Sequence, residues 1–426
     1  MSRRSLLYVL MLGGLAACGD KAKEGGNPPA GAPPKAPASA PAAGYGYAAA
    51  LGADLDVKVG DAMKAGRKYL LAQKDADSGG WGRPELRAGM TAFAALALIG
   101  TTARESVGSD PTIGKALELL AAAQKDTGAI HSNPAYTNYE TAVAVSAFAN
   151  ARVAKHASVQ AKARDFLAAS QIADDRANLS YGGFPYTSKS DPSRPADLSN
   201  AQFAATAASE AGLPKDHAMW GRLLDYLAKV QNRSEANPIA VKKQDKDVGA
   251  EIEIVSGNDG GAAYAPAFSM AGNVKREDGK YAPKSYGSMT YALLKCLLFA
   301  GAKPDDPRVV AAVAWISKNF TLDRNPGFET AKDPEQAGQQ GYFYYLLTAA
   351  RALAEYERAT GKPLVVTDAS GKAHDWRKEI AQQLLGRQGQ DGAWTNPQSP
   401  RWEEGDPVLV TCYALQTLAV CQGRLP

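Results

Sequence analysis

Cysteine and histidine are scarce in this chain, and its charges nearly balance. The 426 residues contain four cysteines and four histidines, and 48 Lys and Arg against 44 Asp and Glu leave a net charge of +4. That balance gives no reason to expect nucleic acid as a partner. No Gly-x-Ser-x-Gly turn, glycine-rich phosphate loop or paired-cysteine metal motif occurs. The usual sequence signatures of serine hydrolases, nucleotide sites and zinc sites are therefore missing.

The cysteines are predicted to be buried packing residues, and most of the histidines are predicted to lie at the surface. Apart from Cys18, the cysteines lie in apolar helical runs, and an odd set is a poor disulfide framework, so buried thiols are predicted at Cys296, Cys412 and Cys421. Three histidines fall at the starts of predicted helices, where solvent exposure is expected: His156, His217 and His374. His131 follows a turn and could approach a cavity, although a surface loop is favoured. We predict no cofactor and no metal.

The amino terminus has the pattern of a secretory signal. It reads "MSRRSLLYVLMLGGLAACGD", with two arginines and then an apolar core too short to span a bilayer. "LAAC" resembles the bacterial lipoprotein processing box, which implies a signal peptide at 1–17 and lipidation of Cys18. The alternative is an ordinary signal peptide in which Cys18 is incidental. Because Gly19 stands where an Asp often favours the inner membrane, we expect an extracytoplasmic lipoprotein on the outer membrane, facing the periplasm.

A Pro/Ala/Gly-rich tract at 18–49 contains almost nothing to bury, and it is expected to be a disordered tether. No second linker of this kind follows, so 50–426 is predicted to be one domain. The longest departure from regular helical runs lies at about 232–288. A loop of that length is usually functional or disordered. We expect an ordered flap here, because "AEIEIV" alternates like a short strand.

A short frame recurs between the helical runs: Gln, three residues, Gly, one residue, then an apolar or aromatic residue. It occurs at 124–130 and 388–394, in lengthened form at 73–81 and 171–184, and weakly at 319–328. Each Gln or Asn ends an amphipathic run in which apolar residues recur at three and four. A Gln amide can cap a helix end, and Gly permits a tight turn. We interpret the frame, including Trp394, as structural.

A second, more evenly apolar helix follows each turn, and six such helices can be counted. Each is preceded by a striped, charged first helix, beginning near residues 59, 111, 156, 215, 306 and 374. Evenly apolar helices suit an inner ring that is buried on both sides, whereas striped helices suit an outer ring facing water. The sequence therefore predicts an all-α fold, an (α/α)6 toroid with a central cavity.

The Gln-x-x-x-Gly-x-Trp frame between paired helices resembles the repeat of the squalene/hopene cyclases and protein prenyltransferase β subunits, over about residues 55 to 425. The resemblance implies working groups at the first turns of the inner helices. The residue sets that the cyclase and prenyltransferase reactions require are both missing from this sequence. The Asp-x-Asp-Asp cluster of the cyclases is absent from the nearest stretches, "DLSN" and "NYET". The prenyltransferase zinc ligands are replaced by Ser288, Thr290 and Val410.

Aligning the inner helices on their apolar pattern predicts which side chains converge at one end of the cavity. One ring contains Met90, Glu140, Asn200, Met289, Tyr342 and Val410, and the next contains Thr91, Thr141, Ala201, Thr290, Phe343 and Thr411. The candidate ligand-binding residues are Glu140, Tyr139, Asp197, Asn200, Tyr291, Tyr342, Asp406 and Tyr413. They would combine apolar walls with a few polar anchors. The alternative is that they are ordinary core aromatics with hydrogen-bonded hydroxyls.

Three functions remain open at this stage. The favoured one is a lipid-anchored binding or scaffolding module, attached to a membrane, whose partner is a small molecule, glycan, peptide or protein. The second is a carbohydrate-active hydrolase or lyase, in which Glu140 pairs with Asp197 or Asp406. The third is a divergent terpenoid cyclase, which the missing acid cluster disfavours. Fold-level analogy does not choose among them.

Overall fold

Paired helices follow one another along the whole described chain. The computed structural model describes residues 51–187, 195–245, 249–329 and 331–425. The outer helices are α1 (Ala53–Ala72), α3 (Pro111–Ala122), α5 (Ala157–Ala169), α7 (Ala218–Val230), α9 (Pro307–Lys318) and α12 (Trp376–Leu385). The inner helices are α2 (Arg87–Thr101), α4 (Thr137–Ala151), α6 (Leu198–Glu210), α8 (Gly287–Phe299), α11 (Tyr342–Thr360) and α13 (Pro407–Cys421). A short helix, α10 (Pro334–Gly338), precedes α11. The predicted (α/α)6 toroid is confirmed.

The inner helices form a closed ring. Helix α2 contacts α4, and the series continues through α6, α8, α11 and α13, which packs back against α2. Every residue of α2 from Ala88 to Gly100 is buried, as is every residue of α8. By contrast, α1 buries one stripe, which includes Val59, Met63 and Leu70. The difference follows from the sequence, because evenly apolar helices lose water contact on all sides.

Glutamine side chains join four of the six outer helices, α3, α5, α7 and α12, to the next outer helix around the ring. The Nε2 atoms of Gln124, Gln171, Gln231 and Gln388 each donate one hydrogen bond to the glycine carbonyl of their own turn. Each also donates a second bond to a carbonyl of the next outer helix: Val159, Met219, Arg308 and Ala62, respectively. Because Ala62 lies in α1, the bond from Gln388 links the last pair to the first.

Glycine is required in these turns for two separate reasons. Gly182 has φ +83° and Gly392 has φ +88°, in the left-handed region that side chains rarely adopt. A Cβ at Gly182 would also lie 1.8 Å from the Arg222 carbonyl oxygen, and one at Gly392 would lie 2.7 Å from that of Ala65. The turn therefore approaches the next outer helix at a distance that only glycine allows.

The last residue of the frame packs behind the inner helix, as expected for Trp394. Trp394 is fully buried, its Nε1 donates to the Leu384 carbonyl, and its backbone N–H donates to Thr411 Oγ1. Trp81 repeats the pattern, with Thr91 as the acceptor of its backbone N–H. The threonine ring that the alignment placed at the cavity thus faces the turns.

The insertion between α7 and α8 contains a small sheet. Its strands are β1 (Ala240–Asp245), β2 (Ala250–Val255), β3 (Asn273–Lys275) and β4 (Tyr281–Pro283), in the order β1-β2-β4-β3. β2 is the predicted "AEIEIV" strand. β1 pairs antiparallel with β2 in a register that opposes Val241 and Ile254. The backbone N–H of Leu198 donates to the Tyr264 carbonyl at 2.8 Å, which ties the insertion to the start of α6. A second hairpin, β5 (Val366–Thr367) and β6 (Ala373–His374), precedes α12.

The remaining expectations have mixed outcomes. Cys296, Cys412 and Cys421 are free and buried, as predicted. His156 and His374 are buried, however, so the expected solvent exposure is wrong for both. His374 is held between two carboxylates, with Nδ1 at 2.8 Å from Glu379 and Nε2 at 3.1 Å from Asp368.

Among the described residues, no helix is both long and apolar enough to cross a membrane. Residues 1–17, Cys18 and the tether lie outside the described residues.

Candidate functional site

Aromatic side chains occupy the axis of the toroid near the first turns of the inner helices. Phe93 packs edge-on against Tyr413, with ring centroids 5.3 Å apart, and Tyr139 packs edge-on against Phe203 at 5.0 Å. Phe203 also lies 6.1 Å from Tyr344. The hydroxyl oxygens of Tyr139 and Tyr413 are 3.5 Å apart. Five inner helices, α2, α4, α6, α11 and α13, therefore contribute rings to one cluster, which fills the entrance to the central cavity.

Asp197 is a buried carboxylate at the start of α6, near Tyr344. It is 3% exposed and caps α6, with Oδ1 accepting from the Asn200 backbone N–H and Oδ2 from Asn200 Nδ2, both at 2.8 Å. The hydroxyl of Tyr264 also donates to it, and Tyr264 in turn hydrogen-bonds with Tyr186. Burial raises the pKa of Asp197 to about 7, although the hydrogen bonds from Asn200 oppose this rise.

Four half-buried tyrosines surround the outer side of Asp197, and we call this surface the tyrosine mouth: Tyr139, Tyr186, Tyr264 and Tyr344. Tyr139 and Tyr186 lie 6.0 Å apart between ring centroids. The Tyr344 hydroxyl lies 3.1 Å from Ser199 Oγ and accepts from Gln202 Nε2 at 3.1 Å. Burial raises the pKa of Tyr139 to about 12, so this hydroxyl stays protonated at neutral pH.

Glu140 does not present a free anion to the cavity. Oε1 accepts from the Gly89 backbone N–H at 3.1 Å, and Oε2 accepts from the N–H groups of Ser132 at 2.7 Å and Asn133 at 3.2 Å. The side chain is buried, and burial raises its pKa against the effect of these bonds. Glu140 therefore joins α4 to the start of α2 and to the preceding turn. The sequence alignment did not anticipate this structural role.

Two further acids near the inner-helix starts also bind backbone amides. Asp406 caps α13 by accepting from the Val408 N–H at 2.8 Å. Glu404 accepts from the Tyr344 N–H at 2.8 Å and from Asn396 Nδ2 at 2.7 Å, and burial raises its pKa to about 7. The N-terminus of a helix is a favourable site for a negatively charged carboxylate. Both positions are thus explained by helix capping.

Tyr291 and Tyr342 are not part of the tyrosine mouth, which corrects the expected grouping. Tyr291 packs against Tyr345, with ring centroids 5.8 Å apart, between α8 and α11. The Tyr342 hydroxyl donates to the Leu322 carbonyl at 2.6 Å, and its ring lies under the guanidinium of Arg387. Of the tyrosines predicted to surround Glu140, the structure brings together only Tyr139 and Tyr413.

Sequence reasoning missed a polar cluster deeper along the axis. Lys295 on α8 and Arg351 on α11 line a cavity of about 20 Å³, together with Gln202 and Gln416. Lys295 is 2% exposed, and burial lowers its pKa to about 7, with Arg351 contributing. The signal was present in the sequence, because Lys295 is a single charge inside the apolar stretch "YALLKCLLFA". Across 51–187, 195–245, 249–329 and 331–425, no group of three or more His, Cys, Asp or Glu could hold a metal ion.

Comparison with known proteins bears on the fold alone. No protein-family model and no curated protein matches the chain. Two variants of the type II terpene cyclase MstE from Scytonema, one with geranylgeranyl dihydroxybenzoate and one apo, are similar with a TM-score of 0.50 and 15% identity, over 87% of this chain and 99% of theirs. An inactive α-1,6-mannanase variant of Salegentibacter has a TM-score of 0.49 and 9% identity, over 85% and 99%. The chain therefore has the α/α toroid fold that is also found in a type II terpene cyclase.

Proposed function

We propose that this chain is a lipid-anchored, extracytoplasmic binding module that takes a hydroxyl-rich ligand, such as a glycan, at the tyrosine mouth. The support is the combination of half-buried rings with hydroxyls and one carboxyl group. Tyr139, Tyr186 and Tyr344 offer ring faces for stacking, and their hydroxyls can exchange hydrogen bonds with a sugar. Asp197 and Ser199 supply further polar atoms. Ligand sites typically have this mixture of apolar walls and a few polar anchors.

The observation that carries the proposal is the small volume behind the mouth. The cavity on the axis measures about 20 Å³, whereas sites for drug-sized ligands measure about 300–1,000 Å³. A polyprenyl substrate of the kind present in the MstE complex does not fit in such a space. A ligand of that size or larger does not fit this cavity, and the tyrosine mouth, where side chains are still partly exposed, is the surface that we propose for it.

Glycan binding tests this proposal directly. The mature protein is screened on a glycan array, and its best ligand is titrated calorimetrically against wild type and Tyr186→Ala. We expect the alanine variant to bind at least about tenfold more weakly, because stacking on an aromatic ring is lost. Tyr356→Ala is the matched control. Tyr356 is also half-buried, but it lies near the C-terminal end of α11, whereas Tyr344 of the tyrosine mouth lies near the N-terminal end. Equal affinities of Tyr186→Ala and wild type would refute the assignment.

Catalysis on a carbohydrate is the second candidate, and Asp197 is the observation that favours it. A carboxyl group with a pKa of about 7 is partly protonated at neutral pH and can act as a general acid. Hydrolysis or elimination products should then accumulate when the bound glycan is incubated with wild type and should be absent with Asp197→Asn. Binding without products in either protein would favour the module.

The membrane anchor is tested separately from the site. The support for it is the basic start, the short apolar core and "LAAC". A single acyl chain holds a protein only marginally, whereas two or three anchor it stably. Cys18→Ser should therefore release the protein from membranes or block its processing, as measured by fractionation. Unchanged processing and membrane attachment in this variant would contradict lipidation at Cys18.

A further inference from the structure

All six inner helices contribute side chains to one cavity on the toroid axis. It lies deeper along the helices than the tyrosine mouth, beyond Phe93, Phe203 and Tyr344. Its volume of about 20 Å³ exceeds the roughly 10–15 Å³ that one water needs in the same measure. The space therefore admits a species of about the size of water, and it excludes a sulfate, a phosphate or a sugar.

Some of the hydrogen-bond donors beside this space have no acceptor among the described residues. Lys295 Nζ carries three donors, and within the described part of the chain its one hydrogen-bond acceptor is Gln202 Oε1. Arg351 is 8% exposed, and its Nε is buried without a partner. The Thr206 and Thr348 hydroxyls each donate to a carbonyl of their own helix, and among the described residues neither oxygen accepts a hydrogen bond from Lys295 or Arg351. Two N–H donors of Lys295 and one of Arg351 therefore remain for whatever occupies the cavity.

Charge is also unbalanced there. Arg351 Nη1 lies 3.4 Å from Glu210 Oε1, so these two charges compensate each other. Glu355, the other nearby acid, pairs with Arg358. No carboxylate among the described residues comes within ion-pair distance of Lys295. A buried, unpaired ammonium is costly unless an anion accompanies it or it loses its proton.

We propose that the cavity binds a monatomic monovalent anion, chloride in ordinary buffers, between Lys295 and Arg351. The unpaired Lys295 ammonium attracts it, the unpartnered N–H groups of Lys295 and Arg351 solvate it, and the volume selects against polyatomic anions. The site belongs to the toroid interior, so it is independent of a ligand at the tyrosine mouth. The bound ion would connect the neighbouring inner helices α8 and α11 on their axial side, because Lys295 and Arg351 lie on these two helices.

Halide-dependent unfolding tests the site in solution. The melting temperature of the mature protein is measured in chloride and in gluconate at equal ionic strength. Above the dissociation constant, each tenfold rise in chloride should raise the melting temperature by about 2 °C. Lys295→Met removes the ammonium but keeps the volume, and Gln202→Glu places a fixed carboxylate beside Lys295. Both variants should lose the chloride dependence, whereas the control Lys64→Met, at an exposed lysine, should keep it.

A crystal grown in bromide locates the ion, because bromide scatters anomalously. We expect one anomalous peak within hydrogen-bonding distance of Lys295 Nζ in wild type and none in Gln202→Glu. An empty or water-filled cavity in bromide, together with equal melting temperatures in chloride and gluconate, would overturn the proposal. A chloride dependence that persists in both variants would also overturn it, since the ion would then bind elsewhere. Gluconate at matched ionic strength keeps general screening constant between the two salts.

Discussion

Replacing Asp197 by asparagine separates the charge of this carboxyl group from its shape. Asparagine is an equally good helix N-cap, so Oδ1 can still accept from the Asn200 N–H. The new amide donor needs an acceptor, and Asn200 Oδ1 is buried without a partner in the wild type. Rotation of the Asn200 amide would give the new donor an acceptor, although Asn200 Nδ2 would then lose its own acceptor. The substitution therefore removes the buried charge, and its hydrogen-bond losses do not depend on pH.

The pH dependence follows from the raised pKa. Asp197 has a pKa of about 7 in the folded protein, against the ordinary Asp value of 3.8 in the unfolded chain. A carboxyl group of this kind contributes stability below its unfolded pKa, and that stability is lost as the pH rises to the folded pKa. The shift of about 3 units corresponds to at most about 4 kcal/mol. The free energy of unfolding of Asp197→Asn, relative to wild type, should rise by up to this amount between about pH 4 and 7.

Urea unfolding of both proteins at several pH values from 4 to 9 measures this difference. The control is Asp306→Asn, because Asp306 also caps a helix, α9, and the hydrogen bond from Arg308 lowers its pKa. That group is ionised in both the folded and the unfolded state throughout about pH 5–9, so its variant should show a constant difference. A difference that is flat for Asp197→Asn, or that falls with rising pH, would refute the reasoning. The carboxylate would then be stabilised as an anion.

Three further substitutions remove hydrogen bonds that connect neighbouring helices of the toroid, and urea unfolding measures their effect. Gln388→Ala should cost about 1–3 kcal/mol, because the bond to the Ala62 carbonyl that closes the ring is lost; an unchanged midpoint would contradict this. Thr411→Val should cost about 1–3 kcal/mol by leaving the Trp394 N–H unsatisfied, and Thr411→Ser should restore it. Glu140→Gln should lower the free energy of unfolding by about 1–3 kcal/mol, because the NH2 group of the new amide would face backbone N–H donors. A variant as stable as wild type would make Glu140 a binding candidate again.

The repeat could be predicted because its residues interact locally and in the same way each time. Gln, Gly and Trp each have a role within one turn, so their spacing is retained wherever the turn is short. The copy at Gln231 was overlooked because the β-sheet insertion separates it from Gly260, even though the same two hydrogen bonds form. Searching for the two halves of the frame on either side of 232–259 could have found it.

The faces of the inner helices could not be predicted from the same pattern. A helix that is buried all round gives no apolar stripe to mark the side that faces the axis. In "YFYYL" at the start of α11, rings point in several directions, and only Tyr344 reaches the mouth. Tyr342 and Tyr345 instead donate to carbonyls of the segment before α10. Which ring points inward depends on the tertiary packing of α11, and no local rule encodes it.

The positions that hold the toroid together and the positions that face its axis are different residues. The threonines that accept turn N–H groups, the bridging glutamines and the close-packed glycines all act on the outer side of the inner ring. The axis is lined by other side chains, among them Phe203 and Lys295. Because these contacts do not depend on the axial residues, the side chains along the axis can change while the fold is kept. In this chain, aromatic rings fill the entrance and a buried cation pair lies beneath them, so the tyrosine mouth and the small axial cavity are where function should be sought.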